Sequence, residues 1–238
     1  MRDIETLIAQ TLAPRFALSD TQCAQFARYY ELLVDWNTRM NLTAITAPAE
    51  AVEKHFLDSL LLLEDVPMAA GERLIDVGTG AGFPGIPLAI ACPALSVTLL
   101  DSLRKRVTFL EAVISELGLS NVQAHHERAE LFAKRSEQRD AYDWATARAV
   151  ARLPLLLEYC LPFVRTGGTF IACKGPDGAR ELAESAHALE ALQGRHVRTC
   201  AHTLPGGDTR DILLIEKVAP TPSRFPRKPG AAEKSPLR

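Results

Sequence analysis

The chain has 238 residues, of which 47% are hydrophobic and 24% are charged, and its formal net charge is −2 at pH 7. This composition is that of an ordinary globular protein and excludes disordered and fibrous classes. It also lacks the strong overall basic excess by which nucleic-acid-binding domains are usually recognised. The length fits one large domain with attached terminal parts, and we predict a helical subdomain at 1–70, a main domain at 71–218 and a tail at 219–238.

Five cysteines are scattered along the chain without a CxxC pair. Their odd number and wide spacing argue against a disulfide framework and a zinc site, so we predict a reducing compartment and no bound metal. The first five residues include acids where a signal peptide needs a basic flank, and no apolar stretch reaches the length of a membrane span. We therefore expect a cytoplasmic protein without a membrane partner.

The first 70 residues have helical apolar spacing. A capping-box match at Ser19 and Gln22 precedes one amphipathic helix. A second helix is predicted from about 49 to 63, and the polar stretch 37–43 between the two is predicted to be a loop. The apolar positions of the first helix follow the i, i+3, i+4, i+7, i+8 rule at Phe26, Tyr29, Tyr30, Leu33 and Val34.

From residue 73 onward, short apolar runs alternate with amphipathic segments, which is typical of a parallel sheet covered by helices. The last two predicted strands are separated only by residues 205–210, too few for a crossover helix, so they must pair antiparallel. The sequence thus predicts a doubly wound, mostly parallel seven-stranded α/β sheet with an antiparallel terminal hairpin. The predicted strands are 74–77, 97–100, 122–124, 142–147, 169–173, 197–204 and 212–217.

Two helices are predicted between the early strands. One begins near Pro84, since proline suits the first turn of a helix. The other spans 103–117, with Ser102 as its N-cap and Gly118 as the glycine that ends it.

The central motif is a glycine-rich turn, DVGTGAGFPG at 76–85, which joins the first strand to a helix. Glycines allow a ligand to approach the backbone closely, and the free N–H groups at the start of the helix attract polar or negative ligand groups. Gly80, Gly82 and Gly85 also satisfy the dinucleotide pattern GxGxxG, and Asp101 lies 21 residues beyond Gly80, where a ribose-binding acid is expected.

The glycine pattern alone cannot separate NAD from S-adenosylmethionine (AdoMet). Asp76 favours AdoMet, because a carboxylate at the end of the first strand can meet the amino group of the methionine moiety but would repel a pyrophosphate. Either cofactor offers ribose hydroxyls to Asp101. A glycine turn needed only for packing is disfavoured by the strand, turn, helix and acid around it.

Polar side chains at later strand ends are further candidates, because open α/β sheets bind ligands at this edge. Glu130 follows the third strand, where an adenine edge would lie, although it could equally accept bonds from nearby backbone. Arg148 and Lys174 close the fourth and fifth strands, and each is either a ligand contact or an ordinary surface group. His125 and His126 are adjacent on a strand and point to opposite faces, so they are poor joint metal ligands.

The tail carries a strong local charge. From residue 217 onward there are six cations and one anion, Glu233, which gives about +5. Such a segment suits contact with a polyanion. The cations are Lys217, Arg224, Arg227, Lys228, Lys234 and Arg238.

Several motifs in order along nearly the whole chain resemble the bacterial 16S ribosomal RNA (guanine-N7) methyltransferases, the glucose-inhibited division protein B family. Several independent motifs are far more specific than the glycine loop alone. The matching pieces are RMNLT at 39–43, HFLDS at 55–59, the loop at 76–87, Asp101-Ser102 with RKR at 104–106, Arg148-Ala149, Lys174-Gly175, TP at 221–222 and FPRKPG at 225–230.

The resemblance implies an AdoMet site at Gly78, Phe83, Ala129, Glu130 and Arg148. It also implies a guanosine in the decoding region (530 loop) of small-subunit RNA as methyl acceptor, in the subunit or its assembly intermediate. Together with the residues argued above, the predicted cofactor set adds Asp76, Gly80, Gly82 and Asp101. The predicted RNA contacts are Arg39, Asn41, His55, Arg104, Arg106, Lys174, Arg227 and Lys228.

The predicted mechanism needs no general base, because guanine N7 carries an available in-plane lone pair. Catalysis is then positioning plus electrostatics, with Arg148 and Lys174 as the expected catalytic residues. We expect a monomer whose basic tail serves RNA binding more than AdoMet binding. Three alternatives stay open: an NAD-dependent oxidoreductase, a non-enzymatic ribosome-assembly scaffold, and a small-molecule methyltransferase.

Overall fold

The computed structural model describes residues 2–148 and 151–237. Met1, Ala149, Val150 and Arg238 lie outside the described residues, and so does half of the Arg148-Ala149 motif. Seven strands form one sheet in the order β3-β2-β1-β4-β5-β7-β6. The strands are β1 Arg73–Val77, β2 Ser96–Asp101, β3 Val122–His126, β4 Tyr142–Arg148, β5 Val164–Lys174, β6 Gly194–Thr203 and β7 Thr209–Lys217.

The predicted fold is confirmed. Strands β1 to β5 are parallel, whereas β7 pairs antiparallel with both β5 and β6. The helices are α1 Arg2–Thr11, α2 Ala13–Phe16, α3 Asp20–Asn37, α4 Pro48–Ala51, α5 Asp58–Leu60, α6 Leu62–Asp65, α7 Gly85–Ala91, α8 Arg104–Leu117, α9 Ala129–Phe132, α10 Leu153–Cys160, α11 Gly178–Ala183, α12 Ala186–Leu192 and α13 Ala231–Lys234, with a π-helical turn at Val52–Leu57 and a 3-10 turn at Leu161–Phe163.

Hydrophobic cores on the two sheet faces hold the layers together. One core joins α1 and α3 to the sheet through buried side chains such as Ile8, Phe26 and Leu110, so the N-terminal helices share their core with the main domain. The other lies on the opposite face around α10 and includes Leu157 and Phe170. Burial of such side chains stabilises the fold by roughly 1.5–3 kcal/mol each.

The capping residues predicted from the sequence are correct at two helix ends and wrong at a third. The capping box of Ser19 and Gln22 is present, and Gly118 ends α8 in the left-handed conformation with φ of 63°. Ser102 was wrongly predicted as the N-cap of α8. Leu103 occupies that position, and its N–H donates to the carboxylate of Asp101 instead.

The second N-terminal helix, predicted from about 49 to 63, keeps helical backbone angles at the junctions between its segments, but its hydrogen bonding changes from α-helical to π-helical and back. α4 runs into the π-helical turn at Val52–Leu57, and Leu61 separates α5 from α6. π-Helical turns are rare and occur frequently at functional sites. This turn carries Lys54 and His55. Within the described residues, no helix is long and apolar enough to cross a membrane.

Candidate functional site

The carboxyl ends of β1, β2, β4 and β5 meet at one edge of the sheet. In β1, Asp76 is level with Leu99 of β2 and with Thr146 of β4. Arg148 at the end of β4 is level with Cys173 of β5. The predicted residues of the glycine loop, Asp101, Arg148 and Lys174 are therefore brought to the same edge, because parallel strands end together.

Asp76 lies beneath the glycine loop and is completely buried. Its Oδ2 accepts hydrogen bonds from the Thr79 hydroxyl at 2.6 Å and from the Gly85 N–H at 2.9 Å. Its Oδ1 is buried without a partner among the described residues. Burial raises the pKa of Asp76 to about 6, while the two hydrogen bonds and the charge of Arg148 oppose that rise.

The loop needs its glycines for close packing as well as for backbone conformation. Gly82 has φ of 100°, and an added Cβ would come within 2.7 Å of Ile86 Cγ1 and of the Tyr29 hydroxyl. Gly80 donates its N–H to Asp101 Oδ2 at 3.0 Å. Asp101 is only 2% exposed and also accepts from Arg106, so part of its hydrogen-bonding capacity fixes the loop. A carboxylate retains further acceptor sites for a ligand.

A cavity of about 270 Å³ opens beside this loop at the ends of β1, β2 and β3, and we call it the β1–β3 cavity. Gly78, Asp101, Ala129 and Glu130 of the predicted cofactor set line it. Its charged lining residues are four acids and one base, a formal charge of −3: Asp101, Glu127, Glu130, Glu233 and Arg128. The cavity therefore suits a ligand that carries positive charge.

A second cavity, of about 440 Å³, lies at the ends of β4 and β5 and is called the β4–β5 cavity. His55, Arg148 and Lys174 of the predicted set line it. The charged lining comprises four bases and three acids, a formal charge of +1 with His55 neutral: Lys54, Arg148, Lys174, Arg210, Asp58, Asp177 and Glu181. Arg148 lines this cavity and not the β1–β3 cavity, but its strand β4 is the neighbour of β1 in the sheet.

Arg148 is held in place from several sides. Its Nη1 donates to Asp58 Oδ2 at 3.1 Å and to the carbonyl of Lys54 at 3.2 Å. The guanidinium carbon lies 5.0 Å from the centre of the Phe83 ring, a cation–π contact. Asp58 also accepts from Arg210 at 3.1 Å, so one buried carboxylate orients two arginines of the β4–β5 cavity.

His55 completes the wall beside Phe83. The two rings stack with centroids 4.4 Å apart. The His55 Nε2 lies 2.9 Å from the Thr43 hydroxyl. Burial, together with the positive charge of Arg148, lowers the pKa of His55 to about 4, so the ring is neutral at pH 7.

Lys174 binds protein groups rather than pointing freely into the cavity. Its ammonium donates to the Ala151 carbonyl at 2.9 Å and pairs with Glu181 at 2.8 Å. The same Glu181 accepts the Leu153 N–H at 2.6 Å. Lys174 therefore holds Ala151, which lines the β1–β3 cavity, close to the end of β5.

The residues predicted to contact RNA differ in their exposure and in their ion-pair partners. Arg104, Lys228 and Asn41 are exposed. Arg39, in the turn after α3, is exposed but pairs with Asp35 in the last turn of that helix. Arg227 instead makes a bidentate pair with the buried Glu158, with Nη2 to Oε2 at 2.6 Å and Nε to Oε1 at 2.9 Å.

Sequence reasoning did not single out several residues of these cavities. Asp58 lies one helical turn after His55, so its face could have been inferred from that i, i+3 spacing. Tyr159 and Glu233 both line the β1–β3 cavity and are 74 residues apart, and no local signal joins them. Within the described residues, no group of three or more His, Cys, Asp or Glu could hold a metal ion.

The residues of the β1–β3 cavity fit AdoMet. Glu130 and Asp101 offer carboxylates to the amino group and hydroxyls of adenosine, and the unpaired Oδ1 of Asp76 lies under the loop as an acceptor for the amino group of the methionine moiety. Together with the strand order and the antiparallel β7, this site defines an AdoMet-dependent methyltransferase.

Comparisons with known proteins agree with that class. The structure resembles M. jannaschii TYW2 in complex with AdoMet, with a TM-score of 0.56 at 15% identity over 74% of this chain and 80% of that one. A 16S rRNA (adenine(1408)-N(1))-methyltransferase from Catenulisporales acidiphilia gives a TM-score of 0.54 at 17% identity over 64% and 88%. At these identities the likeness concerns the fold.

Sequence comparison identifies the family. The family model for rRNA small subunit methyltransferase G matches residues 22–208. Proteins named ribosomal RNA small subunit methyltransferase G are 49% identical in Alkaliphilus metalliredigens, over 94% of each chain, and 45% identical in Desulforamulus reducens, over 100% of each. The chain belongs to the rRNA small subunit methyltransferase G family, as its motifs predicted.

Proposed function

We propose that this enzyme transfers the methyl group of AdoMet to N7 of a guanosine in the 530 loop of 16S ribosomal RNA. The observation that carries the proposal is the pair of cavities on one sheet edge, an acidic one for the cofactor and a basic one for the RNA, with Arg148 in the second and on the strand next to β1. The names of the relatives supply the acceptor class.

The chemistry requires alignment rather than proton removal. When bound, AdoMet supplies a methyl group on a positively charged sulfur. Guanine N7 has a lone pair in the ring plane, so Arg148, fixed by Asp58 and Phe83, has only to orient the acceptor beside that methyl group. Such alignment contributes a large share of the rate in bimolecular transfer, up to roughly 7–11 kcal/mol.

The cofactor roles are proposed residue by residue. Gly78, Ala129 and Glu130 line the cavity and would hold adenosine, and Asp101 would hold the ribose. Asp76, Gly80 and Gly82 act through the loop, because Asp76 is buried under it and the glycines give it its shape. Phe83 acts through Arg148 and His55, against which its ring packs.

RNA contacts are proposed for the exposed cations Arg104 and Lys228 and for Arg39, with Asn41 and His55 nearer the β4–β5 cavity. Phosphate contacts make such binding dependent on salt. Arg106 and Arg227 have carboxylate partners in the structure, at 3.3 Å and 2.6 Å. Their proposed contribution to RNA binding is therefore secondary to those pairs.

The remaining proposals concern context. The enzyme would act as a monomer in the cytoplasm on the small ribosomal subunit or an assembly intermediate of it. The proposed three-part organisation at 1–70, 71–218 and 219–238 would distribute the RNA contacts over all three parts, with most of the AdoMet site in the middle one.

A transfer assay tests the function. Small subunits isolated from cells that lack this protein should accept labelled methyl from AdoMet, and nucleoside analysis should find the label in N7-methylguanosine. Subunits from cells that contain the protein are the matched control, since their acceptor is already modified and should take little label. Absence of label from the unmodified subunits, despite measured AdoMet binding, would overturn the acceptor assignment.

A further inference from the structure

Two arginines hold the tail against the main domain, one from the domain and one from the tail. Arg139 of the domain donates to the carbonyls of Thr221 at 2.6 Å and Phe225 at 2.9 Å, and Phe225 is 5% exposed. Arg227 of the tail forms its bidentate pair with Glu158, which is 1% exposed. These contacts fix the direction that the chain takes after residue 227, in the segment 228–237.

Those last residues end at the β1–β3 cavity. Glu233 of α13 lines the cavity and accepts a hydrogen bond from the Tyr159 hydroxyl at 2.9 Å. Arg128 Nη2 donates to Glu233 Oε1 at 3.0 Å and also to Glu130 Oε1 at 2.9 Å. One guanidinium thus joins the tail to the carboxylate that we assign to adenosine.

The tail backbone contacts the same carboxylate. The Gly230 N–H donates to Glu130 Oε1 at 3.2 Å, and Glu130 is 2% exposed. The orientation of Glu130 is therefore set by a tail group about 100 residues away in sequence, as well as by Arg128. Removal of the tail would leave this carboxylate with fewer partners and more water around it.

We propose that the segment 228–237 is part of the AdoMet site, where Gly230 and Glu233 hold Glu130 and Arg128 around the adenosine end of the cofactor. Binding of AdoMet and docking of this segment then stabilise each other. The proposal rests on AdoMet occupying the β1–β3 cavity. It differs from the expectation that the tail serves mainly RNA.

Two variants and a control test the proposal by calorimetric titration with AdoMet, without RNA. Deletion of residues 230–238 keeps Arg227 in place and should raise the Kd for AdoMet about tenfold. Glu233→Gln keeps the fold and the segment and should raise the Kd about threefold, since its pairs are partly exposed. Arg224→Gln, an exposed tail residue outside this segment, is the control and should leave the Kd unchanged.

Coupling between sites is reciprocal, so the cofactor must also affect the tail. In the full chain, amide hydrogen exchange of residues 228–237 should slow when AdoMet is added. Unchanged Kd in the Glu233→Gln and deletion variants, with exchange unaltered by AdoMet, would overturn the proposal while leaving the proposed function intact. A wild-type chain that binds no AdoMet would overturn the proposed function itself.

Discussion

The β1–β3 and β4–β5 cavities lie along the same sheet edge but are built from different parts of the chain. The first is formed by strand ends and their loops and is closed by the C-terminal segment. The second is formed by the π-helical turn, the ends of β4 and β5, and Arg210 of β7. Both cavities therefore take one wall from strand ends, and they differ in the segment outside the sheet that supplies another wall, the C-terminal segment in the first and the π-helical turn in the second.

Arg148 gives the strongest test of this division, because it lines the β4–β5 cavity on the strand that neighbours β1. Arg148→Ala should lower the rate of methyl transfer on the order of a hundredfold to a thousandfold, as loss of an orienting charged group does. Arg165→Ala removes the same charge at the opposite end of β5, where Arg165 pairs with Asp143, and should retain transfer. Equal rates in wild type and Arg148→Ala would mean that the two cavities do not share a catalytic centre.

The closure of the β1–β3 cavity by the tail predicts a large difference between neighbouring tail cations. Arg227→Ala leaves the buried carboxylate of Glu158 without its partner and should lower the free energy of unfolding by about 3 kcal/mol. Lys228→Ala alters an exposed side chain and should change it by less than about 0.5 kcal/mol. Urea unfolding of both variants measures this, and equal stability of the two would show that the tail is not anchored at residue 227.

Arg227 and Lys228 also show which features of the structure the sequence can predict and which it cannot. The strands and the antiparallel pairing of the last two followed from alternating patterns and a short connection, and the glycine loop followed from its local motif. Arg227 and Lys228 look alike in sequence, whereas only Arg227 meets Glu158, which is 69 residues away. The π-helical turn and the closure of the cavity by Glu233 likewise depend on tertiary contacts, which local propensity does not encode.

Asp76 under the glycine loop and His55 in the β4–β5 cavity should make the free energy of unfolding change with pH in opposite directions. The raised pKa of Asp76, about 6 against 3.8, gives stability that is present below about pH 4 and lost as pH rises through 6. The lowered pKa of His55, about 4 against 6.5, gives stability that is present above pH 6.5 and lost as pH falls through 4.

Unfolding free energies measured between about pH 4 and pH 7, without AdoMet, separate these two effects. Relative to Asp76→Asn, the wild type should lose about 2 kcal/mol as pH rises across this window. Relative to His55→Gln, it should gain a similar amount. Parallel pH profiles for the wild type and both variants would contradict the buried environment assigned to these groups.

Asp58 gives the finest test of whether the cavities work separately. Asp58→Asn keeps the shape of the side chain but removes the charge that holds Arg148 and Arg210, so transfer should fall about tenfold, which corresponds to about 1.4 kcal/mol. The Kd for AdoMet should change less than twofold, because Asp58 does not line the β1–β3 cavity. Asp208→Asn is the control, since its pairs with Lys54 and Arg210 are more exposed and it should keep most of the activity. If Asp58→Asn lost AdoMet affinity and transfer to the same extent, Asp58 would be assigned to cofactor binding. If it lost transfer alone, and a higher RNA concentration restored part of that transfer, Asp58 would be assigned to RNA binding.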